Sequence, residues 1–98
     1  MPAYVIANLT ITNPEGFDGY RRQVPAVIEQ YGGRYLVRGG SVEIVEGDWP
    51  LNRFVVVEFP SMEQAKRWYE SEEYGAIKSG RTDNSEGQLG FVEGVPAT

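Results

Sequence analysis

Histidine and cysteine are both absent from the 98 residues. Without them a Ser-His-Asp arrangement, a thiol nucleophile, a disulfide scaffold and cysteine-based metal sites are excluded. A metal would have to rest on Asp and Glu alone, and the acidic stretches "EGDW" and "ESEE" lack the spaced oxygens of a calcium loop, so no metal site is expected. A haem role is weakened for want of a histidine axial ligand, and no cofactor is expected. The absence of cysteine also fits a reducing compartment.

Positive charge is scarce as well. Nine Lys and Arg face fourteen Asp and Glu, a net charge of −5, which argues against general affinity for nucleic acid or an anionic membrane, since both require clustered cations. Long apolar runs are missing too. The segment "MPAYVIANLTI" has no basic leader followed by an apolar stretch, and no window approaches the ~18 apolar residues of a membrane span. A soluble, cytoplasmic protein is expected. Seven of the nine cations are arginine. Their planar forks suit carboxylates and phosphates, which keeps a small acidic ligand open, although solvated surface pairs are the plainer reading of any single arginine.

What is present is regular patterning over a length suited to one domain, residues 1–98. "AYVIANLTI" alternates as a strand whose more apolar face carries Val5, Ala7, Leu9 and Ile11. Asn13 and Pro14 open a helix with an apolar stripe of Phe17, Tyr20, Val24, Val27, Ile28 and Tyr31; Pro25 predicts a kink or short break, and Gly32 or Gly33 a stop. "RYLVR" and "SVEIVE" both read as strand, with Gly39-Gly40 between them as a bulge or bend. "RFVVVEF" is the most apolar strand and predicts a central position, buried on both faces. Ser61 and Gln64 form a capping-box pattern before Met62, Ala65, Trp68 and Tyr69, and Ser71 opens a short second turn carrying Tyr74 and Ile77. A last short strand lies around Leu89, Phe91 and Val92.

The order is β-α-β-β-α-β, an α+β ferredoxin-like arrangement: a four-stranded antiparallel sheet with helices on one face. Strands one and three are expected side by side at the centre, running parallel. The uncovered face then carries Tyr4, Ile6, Phe54 and Val56. That is more apolar surface than a monomer usually exposes, so a twofold homodimer with a barrel-like core is expected.

"YGGRYLVRGG", "VEIVEG", "VVVEFPSMEQAKRWYESEEY" and Arg81 resemble the bacterial domain-of-unknown-function family 1330, within the dimeric α+β barrel superfamily, from Tyr4 to Gly94. The resemblance implies the same ferredoxin-like dimer and supplies no reaction. Related barrels include cofactor-independent monooxygenases, haem-handling enzymes and ligand-binding regulators, so the chemistry is not narrowed by membership.

One constellation stands out. Asn8 on the first strand and Glu58 on the third point into the barrel if the odd-numbered residues face the helices, and Arg34 and Arg38 share a face four residues apart. Glu58, Arg38 and Asn8 are thus candidate catalytic groups, with Tyr4, Arg34, Tyr74 and Arg81 as candidate ligand contacts. The polar loop "SGRTDNSEG", beside Tyr74 and Arg81, is a candidate lid. The competing reading makes Glu58 and Arg38 a structural ion pair of the fold or dimer. Trp68, Tyr69 and Tyr31 read as core. The glycine pairs do not read as a phosphate cradle, because they follow a helix and lead into a strand, the reverse of a dinucleotide fingerprint.

Overall fold

Three caps set the helices in the computed structural model, which describes residues 1–96. The Asn13 side chain accepts from Gly16 N at 3.4 Å and opens α1 (Pro14–Gln30). Ser61 accepts from Gln64 N at 3.1 Å and opens α2 (Met62–Glu70). Ser71 ends α2 with an extended ψ of 155° and opens α3 (Glu72–Thr82), its Oγ accepting from Tyr74 N at 3.0 Å. The short second turn read from the sequence is thus an eleven-residue helix. The capping box is only half formed, because the Gln64 amide donates to Tyr31 O at 2.8 Å and ties α2 to the end of α1. α1 runs through Pro25 without a break. Gly32, at φ 83°, closes it in the left-handed conformation that glycine adopts without strain.

The strands are β1 (Ala3–Ile11), β2 (Arg34–Arg38), β3 (Arg53–Phe59) and β4 (Ser85–Glu93), ordered β2-β3-β1-β4. β3 is central, as its composition predicts, but β1 and β3 run antiparallel, Val5 opposite Val57 and Leu9 opposite Arg53. The parallel expectation fails because a helical crossover returns β2 parallel to β1, and β3 then reverses to pair between them. Val5, Ala7, Leu9, Val57 and Phe59 face the helices and are buried with Phe17, Val24, Ile28, Ala65, Trp68 and Tyr74. Phe54 and Val56, on the opposite face, are only half-buried, so β3 is not buried on both sides.

"SVEIVE" is not a strand. β2 ends at Arg38, and Gly39, at φ 68°, turns the chain into an exposed arm spanning residues 40–50. Val45 is 88% exposed and Trp49 60% exposed. The alternating pattern is there, but among the described residues no neighbouring strand receives its backbone. The candidate lid is also overturned. Ser79–Thr82 belong to α3 and Ser85–Gly87 to β4, leaving only Asp83 and Asn84 between them. Among the described residues no helix is long and apolar enough to cross a membrane.

Candidate functional site

The irregularity in β2 decides which arginine faces what. The register shifts between Tyr35 and Val37, not at Gly39-Gly40 as the glycines suggest. Before the shift Arg34 pairs with Glu58; after it Arg38 pairs with Val55. One extra residue reverses the alternation, so Arg34 and Arg38, four apart, lie on opposite faces of the sheet. The expected grouping of Glu58 with Arg38 is therefore corrected: Glu58 accepts from Arg34 Nε at 2.8 Å on the open face.

The other candidates separate in the same way. Tyr4 is on the open face, opposite Glu58 on β3 and Val92 on β4. Asn8 is also there, and its side-chain amide is engaged by the end of the arm through one donor and one acceptor. Nδ2 donates to Pro50 O at 3.0 Å, and Oδ1 accepts from Asn52 N at 3.0 Å. Asn8 thus fastens the arm to β1. A hollow of about 330 Å³ between Ile6, Trp49, Phe54 and Gln88 adjoins it, open to solvent.

Arg38, Tyr74 and Arg81 belong to the other side, between the helices and the sheet. A cleft enclosing about 40 Å³ lies there. Its apolar walls come from Leu9, Val24, Ile28, Val55 and Val57, and its polar groups from Tyr20, Arg21, Tyr35, Arg38, Arg53, Trp68 and Arg81. Arg38 stacks over the Tyr35 ring, 4.8 Å from its centroid, and its Nη2 donates to Arg21 O at 2.7 Å. Arg53 lies 5.8 Å from the Phe17 centroid. Arg81, only 9% exposed, donates from Nε to the Tyr74 hydroxyl at 3.1 Å, and that hydroxyl is 2.9 Å from the Tyr20 hydroxyl.

Burial dominates the electrostatics of this layer. It pushes the Tyr20 phenol far above the ordinary tyrosine value, with the adjacent Tyr74 hydroxyl adding to the effect, and it raises Tyr35 as well. For Arg81 burial works against the charge, but the Tyr74 oxygen and its tyrosine neighbours outweigh it, so the net direction is upward. Arg81 stays a guanidinium. Trp68 is 2% exposed, and its Nε1–H has no hydrogen-bond partner among the described residues.

Tyr20, Trp68 and Arg53 were not singled out by residue type. Tyr20 and Trp68 sit on apolar helical stripes that read as core. Arg53 carried a usable signal, since it shares parity with Val55 and Val57 on the helix-facing side of β3.

Residues 2–95 match the family described as "Domain of unknown function (DUF1330)". The chain belongs to that family. Solved structures with the same fold include the RPA0582 protein of unknown function from Rhodopseudomonas palustris, 15% identical, with a TM-score of 0.73 over 98% of this chain and 84% of that one. SnoaB, a cofactor-independent oxygenase from Streptomyces nogalater, is 13% identical, with a TM-score of 0.65 over 98% and 95% of the two chains. A putative antibiotic biosynthesis monooxygenase from Bacteriodes thetaiotaomicron is 17% identical, with a TM-score of 0.54 over 99% and 90%. At these identities the likeness is one of fold. No curated protein matches the sequence. Membership of the DUF1330 family and the ferredoxin-like α+β fold thus agree with the sequence reading.

Proposed function

We propose that this DUF1330 protein binds a small organic molecule in the cleft between its helices and its sheet, and does so as a homodimer joined through the open sheet face. The observation that carries the binding reading is the convergence of Arg38, Arg53, Arg81 and Tyr20 on one apolar-walled cleft. The open-face hollow is larger, but the Asn8 amide that lines it already gives one donor to Pro50 and its oxygen to Asn52 N, and no charged side chain lines the hollow among the described residues. Monooxygenase-like proteins among structures of the same fold support a small organic ligand. The dimer reading rests on Tyr4, Ile6, Phe54 and Val56 together on one uncovered face, beside an arm with exposed Val45 and Trp49.

The same geometry favours a structural role for Glu58. Its partner Arg34 has a side chain 72% exposed, and the pair stands on the face proposed for the dimer contact, away from the cleft. Amide and methyl NMR during titration with a panel of small organic molecules tests the assignment. Shifts should cluster at Val24, Tyr35 and Val57. Shifts confined to Tyr4, Ile6 and Phe54, or none with any compound, contradict it.

A further inference from the structure

The polar groups of the cleft share one property: they offer protons. Among the described residues no Asp, Glu, Asn, Gln, Ser or Thr lines it. Of the four lining arginines, Arg21 is paired with Asp18 at 2.6 Å; Arg38, Arg53 and Arg81 each carry a permanent charge, and among the described residues none of these three forms an ion pair with a carboxylate. In a chain of net charge −5 such a cluster is not the product of a generally basic surface; Arg81 is buried, Arg53 half-buried and Arg38 exposed, so the cost of a buried cation without a counter-ion falls on Arg81.

The tyrosines extend the pattern. Arg81 donates to the Tyr74 hydroxyl, which is fully buried. If Tyr20 also donated to it, the Tyr74 proton would be left without an acceptor, so the better-satisfied chain runs from Arg81 to Tyr74 to Tyr20. The Tyr20 proton is then left for the cleft that Tyr20 lines. Trp68, lining the same cleft, adds an Nε1–H that is buried and unpartnered. An indole nitrogen can only donate.

We propose that the cleft takes a small organic carboxylate, its oxygens received by the Arg38 and Arg53 guanidiniums and by the free donors of Trp68 and Tyr20, its apolar body lying against Val24 and Val57. This deepens the small-molecule reading above and rests on it. The enclosed space of about 40 Å³ sets the size. At roughly 10–15 Å³ per water on the same measure it holds about three waters, the bulk of the three-carbon apolar body of a short branched acid without its carboxylate. An inorganic anion would satisfy the guanidiniums and leave the apolar walls uncovered; a neutral molecule would do the reverse.

The probes are isobutyrate, its uncharged analogue isobutyramide, and inorganic phosphate, each titrated into the full chain and followed by NMR. Isobutyrate should bind at least about tenfold more tightly than either comparison compound, as expected for charge-assisted hydrogen bonds made in a partly dry site. Arg38→Gln and Arg53→Gln, checked for folding by circular dichroism, should each weaken isobutyrate about tenfold and leave isobutyramide unchanged. Arg34→Gln, on the other face, should change neither. If isobutyramide binds as well as isobutyrate, the carboxylate assignment is overturned while the cleft reading stands. Preference for phosphate overturns it too. If none of the three compounds perturbs the cleft while other small molecules do, the carboxylate assignment falls alone; if nothing perturbs it, both fall.

Discussion

Arg81 and Tyr74 are coupled tightly enough that removing one oxygen should be felt. Tyr74→Phe leaves the Arg81 Nε–H buried without its acceptor and deprives Tyr20 of its partner. The expected cost is about 1–3 kcal/mol, read by urea denaturation. Arg34→Gln breaks an exposed pair instead and should change stability by less than about 1 kcal/mol. An equal loss in the two variants would contradict the division between a structural cleft network and a surface pair. Tyr20 adds a pH dependence. Its folded pKa lies above the ordinary 10.0, chiefly through burial. Folding therefore favours the neutral phenol, and the associated stability is fully present below pH 10 and lost as pH rises above it. Tyr20→Phe should flatten the fall in stability above pH 10. An alkaline profile as steep as the parent's would contradict it.

At the scale of elements, Ser71 has the largest leverage for its size. Its backbone N–H donates to Trp68 O at the end of α2 while its side chain caps the start of α3, holding Trp68 and Tyr74 in place at the same time. Ser71→Ala should cost about 1 kcal/mol and lower the midpoint of thermal unfolding by roughly 4–8 °C in a chain of this length. A midpoint within a degree of the parent's would show the cap to be unimportant. The helix starts and all four strands could be read from the sequence because their signals are local: Asn13-Pro14, Ser61, the alternation of β1 and the apolar run of β3. The strand reading failed at "SVEIVE", where the alternation is genuine but no strand among the described residues supplies hydrogen-bonding partners. The site was half legible for a related reason. Arg38, Tyr74 and Arg81 could be named, but their grouping turned on a bulge between Tyr35 and Val37 that carries no glycine. Placing the irregularity at Gly39-Gly40 kept Arg38 on the face of Glu58.

For the whole molecule, the uneven covering of the sheet is the main fact. One face is buried under three helices, and the other shows Ile6, Phe54 and Val56 only half-buried beside an arm that exposes Val45 and Trp49. A proposed twofold contact there should bury about 1,200–2,000 Å² in total, the usual size of a stable interface. Sedimentation of the parent should give twice the chain mass. Val56→Glu places a charge at the centre of that face and should give the mass of one chain with the circular dichroism unchanged. A monomeric parent would contradict the dimer without touching the cleft, which is built within one chain.

The claim that the cleft receives a carboxylate is tested most directly at Trp68. The chain has two indole N–H groups, Trp49 and Trp68, and Trp49→Phe assigns them. Titration with isobutyrate should move the Trp68 indole proton downfield, as its unpartnered N–H gains an acceptor, and slow its exchange with solvent, while Trp49 stays unchanged. An unmoved Trp68 signal at saturating isobutyrate would contradict the account.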